Sequence, residues 1–148
     1  IGLARADLVL TIGDTAGQAA FDTLWGRAAT PPRLRGALQP LQMGMDWTGQ
    51  RVLAFAGIAD PARFFASLKA EGADLVRGEA LADHEPLSET LLRRLEAEAT
   101  AAGAQLVTTE KDAARLSPAW RSKVLTLVVR LVVDDWTQLD IAFGRLYL

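Results

Sequence analysis

Residues Arg51–Pro61 read RVLAFAGIADP, and the reading of this stretch decides the fold. Val52–Ala56 is a short apolar run that stops at Gly57, the pattern of a strand. Asp60-Pro61 then marks a helix start. The carboxylate can accept from free first-turn N–H groups, and proline's fixed φ suits the first helical position. A helix is predicted over Pro61–Glu71, with Phe64, Phe65 and Leu68 on its apolar face and Gly72 as its stop. A strand turned at once into a helix is the unit from which parallel sheets are built.

The same rhythm continues downstream. A strand is predicted over Ala73–Arg77, and Ser88 caps a helix that runs to Ala102, with Leu91, Leu92, Leu95 and Ala99 on one face and Gly103 as the stop. Gln105–Thr108 reads as a strand. Thr109-x-x-Asp112 resembles a capping box, with Asp in place of the usual Glu or Gln, and opens a short helix to about Leu116. Val124–Val133 reads as the longest strand, and Thr137–Tyr147 as a last helix with Leu139, Phe143 and Leu146 inward.

Upstream, Asp7–Ile12 is a buried strand ended by Gly13. Thr15–Trp25 is a helix capped by Asp14, broken by Thr30-Pro31-Pro32, and Arg33–Gln42 is extended. Met43–Gln50, with Gly44 and Gly49, reads as a linker. Strand and helix therefore alternate at least four times. The expected class is α/β: a three-layer, mostly parallel sheet with flanking helices. Residues 51–148 are expected to form one compact unit, and residues 1–50 a remnant of another lobe plus linker.

Composition narrows the function. The chain has 148 residues, half of them hydrophobic, enough for a real core. Its net charge of −2 gives no electrostatic case for nucleic acid. Without cysteine there is no disulfide or thiolate metal site, and a single histidine, His84, rules out a His-rich zinc site. No apolar run approaches the roughly 20 residues that span a bilayer. No signal-peptide pattern appears. The chain starts at Ile1 rather than Met, within what reads as an ordered segment, so a piece of a longer protein is expected.

Ligands in an open α/β sheet bind beyond the carboxyl ends of strands, and three segments fall there. Gly57–Pro61 could offer backbone N–H groups to an anion, or be a plain strand-to-helix turn with a good cap. Asp83-His84-Glu85-Pro86 places the histidine in a polar loop between carboxylates, which favour a cationic or oriented imidazole; it could equally be a solvated surface histidine. Thr108-Thr109-Glu110-Lys111-Asp112 could hold a phosphate or sugar, or be a capping box whose charged side chains are solvated or paired. There is no G-x-x-x-x-G-K-[ST], G-x-G-x-x-G, H-E-x-x-H or nucleophile elbow, so no complete active site can be assembled from this chain.

Read together, these segments resemble the tetraacyldisaccharide 4'-kinase family. The likeness begins at Gly2-Leu3-Ala4-Arg5-Ala6-Asp7 and continues through Arg51–Phe65. It includes Asp83-His84 and is strongest over Leu106–Leu116. The family often has a second glycine where Ala59 stands. It usually follows the Asp-His pair with another histidine, and the proline with a tyrosine, where this chain has Glu85 and Leu87.

The resemblance implies a Rossmann-like C-terminal lobe of a P-loop-type kinase. The activity implied is transfer of the ATP γ-phosphate to the 4'-hydroxyl of a tetraacyldisaccharide 1-phosphate in lipid A biosynthesis, at the cytoplasmic face of the bacterial inner membrane. ATP and Mg²⁺ would be bound mainly by an N-terminal lobe outside this chain, which would also make the peripheral membrane contact. Implied partners are that lobe and the lipid disaccharide. His84 and Asp83 are the implied catalytic pair; Thr108, Thr109, Lys111 and Asp112 are the substrate-binding candidates; no metal ligand is implied here. The competing expectation is a non-catalytic α/β binding or regulatory module.

Overall fold

The computed structural model describes residues 3–41, 44–83 and 85–146. In chain order its strands and helices are β1 (Val9–Ile12), α1 (Thr15–Trp25), β2 (Arg33–Pro40), β3 (Arg51–Ala56), α2 (Pro61–Ala70), β4 (Asp74–Ala80), α3 (Glu89–Ala101), β5 (Gln105–Thr109), α4 (Glu110–Ala113), α5 (Pro118–Arg121), β6 (Leu125–Leu127), β7 (Val129–Val133) and α6 (Thr137–Leu146). The chain divides into two compact units, residues 40–128 and residues 1–39 with 129–148.

Residues 40–128 are built on a four-stranded sheet in the order β4-β3-β5-β6. Each neighbouring pair is parallel, with Phe55 opposite Thr108 and Val107 opposite Leu125 in register. β3 sits in the middle, and Val52 to Ala56 are essentially inaccessible to solvent. That explains why its sequence is continuously apolar rather than alternating. β4 and β5 flank β3 on opposite sides. Since parallel crossovers are right-handed, α2 and α3 lie on opposite faces, giving the expected three layers.

The α3 side encloses one apolar cluster, in which Leu92, Leu95 and Ala99 meet Leu53, Phe55 and Leu106, with Leu116 and Trp120 closing it. The predicted caps form as hydrogen bonds. The Asp60 carboxylate accepts from the Arg63 N–H at 3.1 Å, and the Ser88 hydroxyl from the Leu91 N–H at 3.2 Å. Gly72 and Gly103, read as helix stops, have φ of 90° and 59°, a conformation that glycine adopts without strain.

Residues 1–39 and 129–148 carry the second sheet, in the order β1-β2-β7, with β1 parallel to β2. Asp14 caps α1 as expected, accepting from the Gly17 N–H at 2.8 Å. The apolar surfaces of this unit stand largely open. α1 has no buried residue, Leu24 is 74% exposed and Phe143, expected inward, is half exposed. Among the described residues no helix is long and apolar enough to cross a membrane.

Two expectations about organisation are corrected. The run Val124–Val133 is not one strand: β6 belongs to the four-stranded sheet, and the chain then leaves it. The Val128 carbonyl accepts from the Leu41 N–H at 2.8 Å, and β7 lies beside β2 in the other sheet. Consequently residues 51–148 are not a single unit, since 129–148 group with 1–39. An apolar run shows burial but not a change of sheet, because strands of both sheets are apolar in the same way.

Candidate functional site

The strand order reverses at β3: the chain moves outward to β4, then returns to β5 on the other side. Loops that diverge at such a point leave a crevice beyond the carboxyl ends of the strands. The three segments singled out in the sequence converge there. Gly57 follows β3, the turn Ala82–Glu85 follows β4, and Thr109–Arg115 follows β5.

Asp112 is the hub. Its side chain has no solvent exposure. Its Oδ2 accepts from the Gly57 N–H at 2.9 Å and from the Thr109 hydroxyl at 2.9 Å, while Oδ1 accepts from Nη1 of Arg115 at 3.1 Å. A buried carboxylate costs free energy unless paired and fully hydrogen-bonded, and these three donors meet that condition. Thr109 also caps α4, accepting from the Asp112 N–H at 3.2 Å. Thr108 is equally buried, and its hydroxyl donates to the Phe55 carbonyl at 2.8 Å, cross-linking β5 to β3.

The turn after β4 is closed from within. The Glu85 N–H donates to the Ala82 carbonyl and the Glu85 carboxylate accepts from the Ala82 N–H, both at 2.9 Å. The Leu81 N–H donates to the Ala56 carbonyl at 3.0 Å, pinning the entry of the turn to the end of β3. Nη2 of Arg115 donates to the Glu85 carbonyl at 2.6 Å, and Nζ of Lys111 lies 3.5 Å from Oδ1 of Asp83. His84 lies outside the described residues.

The sequence candidates therefore separate by exposure. Asp83 and Lys111 are about half exposed, paired with each other, and stand where a ligand could reach them. Thr109 is partly exposed, whereas Thr108 and Asp112 spend their polar atoms inside the protein. At Gly57 the plain strand-to-helix turn describes the geometry: its N–H is committed to Asp112, and the first turn of α2 is covered by the Asp60 carboxylate. Among the described residues no group of three acidic or histidine side chains could hold a metal ion. Sequence reasoning missed Arg115; its spacing of three from Asp112 on a helical turn was the available signal.

A family model described as LpxK: Tetraacyldisaccharide-1-P 4'-kinase matches residues 1–144. Two similar curated relatives are both named tetraacyldisaccharide 4'-kinase. One, from Jannaschia sp. (strain CCS1), is 55% identical over 145 residues, and one from Dinoroseobacter shibae is 56% identical over 147 residues. The matches cover 98% and 99% of this chain but 44% of each relative, so the chain spans less than half their length. A crystal structure of LpxK from Aquifex aeolicus, an "apo" form in complex with ATP, has the same fold. Its TM-score is 0.60 and its identity 17%, across 99% of this chain and 44% of that one.

Proposed function

The chain belongs to the tetraacyldisaccharide-1-phosphate 4'-kinase family, and we propose that it is the C-terminal portion of a kinase that transfers the γ-phosphate of ATP to the 4'-hydroxyl of a tetraacyldisaccharide 1-phosphate in lipid A biosynthesis. The observation that carries this reading is the match along residues 1–144, with relatives of that name above half identity. The open apolar surfaces support it. Nine of the twelve large hydrophobic residues that stand exposed among the described residues fall within 1–39 and 129–148, as expected of a sheet completed by another part of the protein.

In this reading ATP and Mg²⁺ are held mainly by the part of the protein beyond this chain. This chain contributes the far wall of the crevice. Phosphoryl transfer depends mostly on positioning and charge stabilisation, with a base orienting the attacking hydroxyl. Asp83 and His84 are the residues proposed to face the acceptor. The imidazole would hydrogen-bond an aspartate of the N-terminal lobe and fix its direction toward the 4'-hydroxyl proton. Of the substrate-binding candidates, Lys111 has the exposure to meet a sugar or phosphate oxygen. The protein would work at the cytoplasmic face of the inner membrane, docking through the part beyond this chain.

The test is transfer by the intact protein. With γ-labelled ATP and tetraacyldisaccharide 1-phosphate, label is expected at the 4' position, and only when both substrates are present. No transfer by folded, intact protein would leave the non-catalytic module as the better description.

A further inference from the structure

We propose that Arg115 is a positioning residue: its guanidinium straps the Ala82–Glu85 turn, and with it Asp83, onto the carboxyl edge of the sheet. The inference rests on the kinase reading above and adds a residue that the sequence analysis does not single out.

The strap has a rigid anchor. Both oxygens of the Asp112 carboxylate are engaged, Oδ2 by Gly57 and Thr109 and Oδ1 by Arg115, so the group cannot swing. From that anchor Nη2 of Arg115 reaches the Glu85 carbonyl at 2.6 Å. The turn is then held at both ends: its entry by Leu81 on Ala56, its exit by Arg115. The bonds between Ala82 and Glu85 close the turn that carries Asp83, so the Arg115 contact at Glu85 bears on where Asp83 stands. Lys111 on Asp83 is a second, weaker strap, because a pair of half-exposed charges contributes little.

Arginine suits this task for a geometric reason. Its planar fork serves two acceptors in fixed directions, whereas a lysine ammonium could stay beside Asp112 but would not span to the loop carbonyl in the same plane. Arg115→Lys thus keeps a cation for the buried carboxylate and removes the strap. Arg121 provides the control. Its Nη2 also donates to backbone carbonyls, those of Ala114 and Leu116, but on a part of the chain that does not hold the turn.

The experiment uses the intact kinase, with hydrogen exchange at the Ala82 and Glu85 amides, steady-state kinetics and melting curves. Arg115→Lys is expected to speed exchange at both amides about tenfold, lower kcat about ten- to a hundredfold and leave KM within about twofold. Arg121→Lys is expected to match wild type in exchange and kcat. Lys111→Met, at an exposed position where folding is not at risk, is expected to move exchange and kcat in the same direction by a smaller factor. Wild-type exchange in Arg115→Lys would show that no strap exists. Fast exchange with wild-type kcat would show that the strap does not serve the reaction. Absence of transfer by the wild-type protein would instead sink the kinase reading, while the exchange contrast between Arg115→Lys and Arg121→Lys would still uphold or overturn the strap.

Discussion

The Gly57 N–H donates to Oδ2 of Asp112 over 2.9 Å, tying the end of β3 to the helical turn after β5, 55 residues further along the chain. The same carboxylate takes the Thr109 hydroxyl and the Arg115 guanidinium. One buried side chain thus joins two strand ends, and through Arg115 the loop that carries Asp83.

Replacing Asp112 by alanine is expected to be among the most damaging changes in residues 40–128. It would leave the Gly57 N–H and the Thr109 hydroxyl without their partner and strip Arg115 of its counter-charge. Breaking a buried pair by removing one partner costs about 3–5 kcal/mol. The melting temperature should therefore fall by about 10 °C or more. Thermal unfolding followed by circular dichroism measures this. A shift within about 2 °C would mean that the carboxylate is not the tie between the two strands.

Local chemistry was legible in the sequence, and long-range chemistry was not. Asp14, Asp60, Ser88 and Thr109 were readable as caps because a cap and the N–H it accepts from lie within three residues. Gly57 and Asp112 meet only because β3 and β5 are neighbours in the sheet, which no local spacing encodes. β4 was read too short for a related reason. Beyond Arg77, where the predicted strand ends, this edge strand carries Gly78 and Glu79, and glycine and charge on an edge look like a loop. Thr108 and Asp112 looked like ligand groups because hydroxyl and carboxylate at a strand end suit both roles, and only burial separates them.

Acid is expected to weaken the fold partly through Glu79 and Glu89. Hydrogen bonds from Arg94, with Arg77 adding to them, hold the Glu79 carboxyl below its ordinary value against the opposing effect of partial burial. The Trp120 indole N–H, 2.7 Å away, does the same for Glu89, helped by Arg93. A carboxyl whose folded pKa is depressed contributes stability that is complete above its unfolded pKa. That contribution is lost as pH falls through the folded value. The window therefore lies below the ordinary glutamate value of 4.5. Melting temperatures taken from about pH 6 down to about pH 3 should fall less steeply for a Glu79→Gln, Glu89→Gln double variant than for wild type. Parallel curves for the two proteins would show that these carboxyls do not link folding to pH.

The 148-residue chain by itself is expected to bind Mg·ATP no tighter than about the millimolar range and to phosphorylate nothing. The Gly57 amide is already used by Asp112, and the Asp60 carboxylate already takes the Arg63 N–H in the first turn of α2. Titration calorimetry with Mg·ATP measures the binding directly. A micromolar dissociation constant would mean that a nucleotide site exists among these residues after all.

His84 gives the sharpest test of the proposed chemistry. It is the single histidine of the chain and follows Asp83, whose carboxylate stands at the crevice beside Lys111. In the intact enzyme His84→Ala is expected to lower kcat by about 10²–10⁴-fold, the range for a positioned acid–base group, while the melting temperature stays close to wild type. A histidine that served the fold would behave differently, since its loss would leave a cavity or an unpaired polar group and lower the melting temperature by several degrees. Lys111→Ala is the comparison. If Lys111 contacts a substrate phosphate, KM rises more than kcat falls; if it acts only by holding Asp83, kcat carries the loss. Steady-state kinetics and melting curves on the three proteins separate these roles. A His84→Ala enzyme with wild-type kcat would remove the imidazole from the mechanism and leave the Asp83–Pro86 loop with no part in the reaction beyond shape.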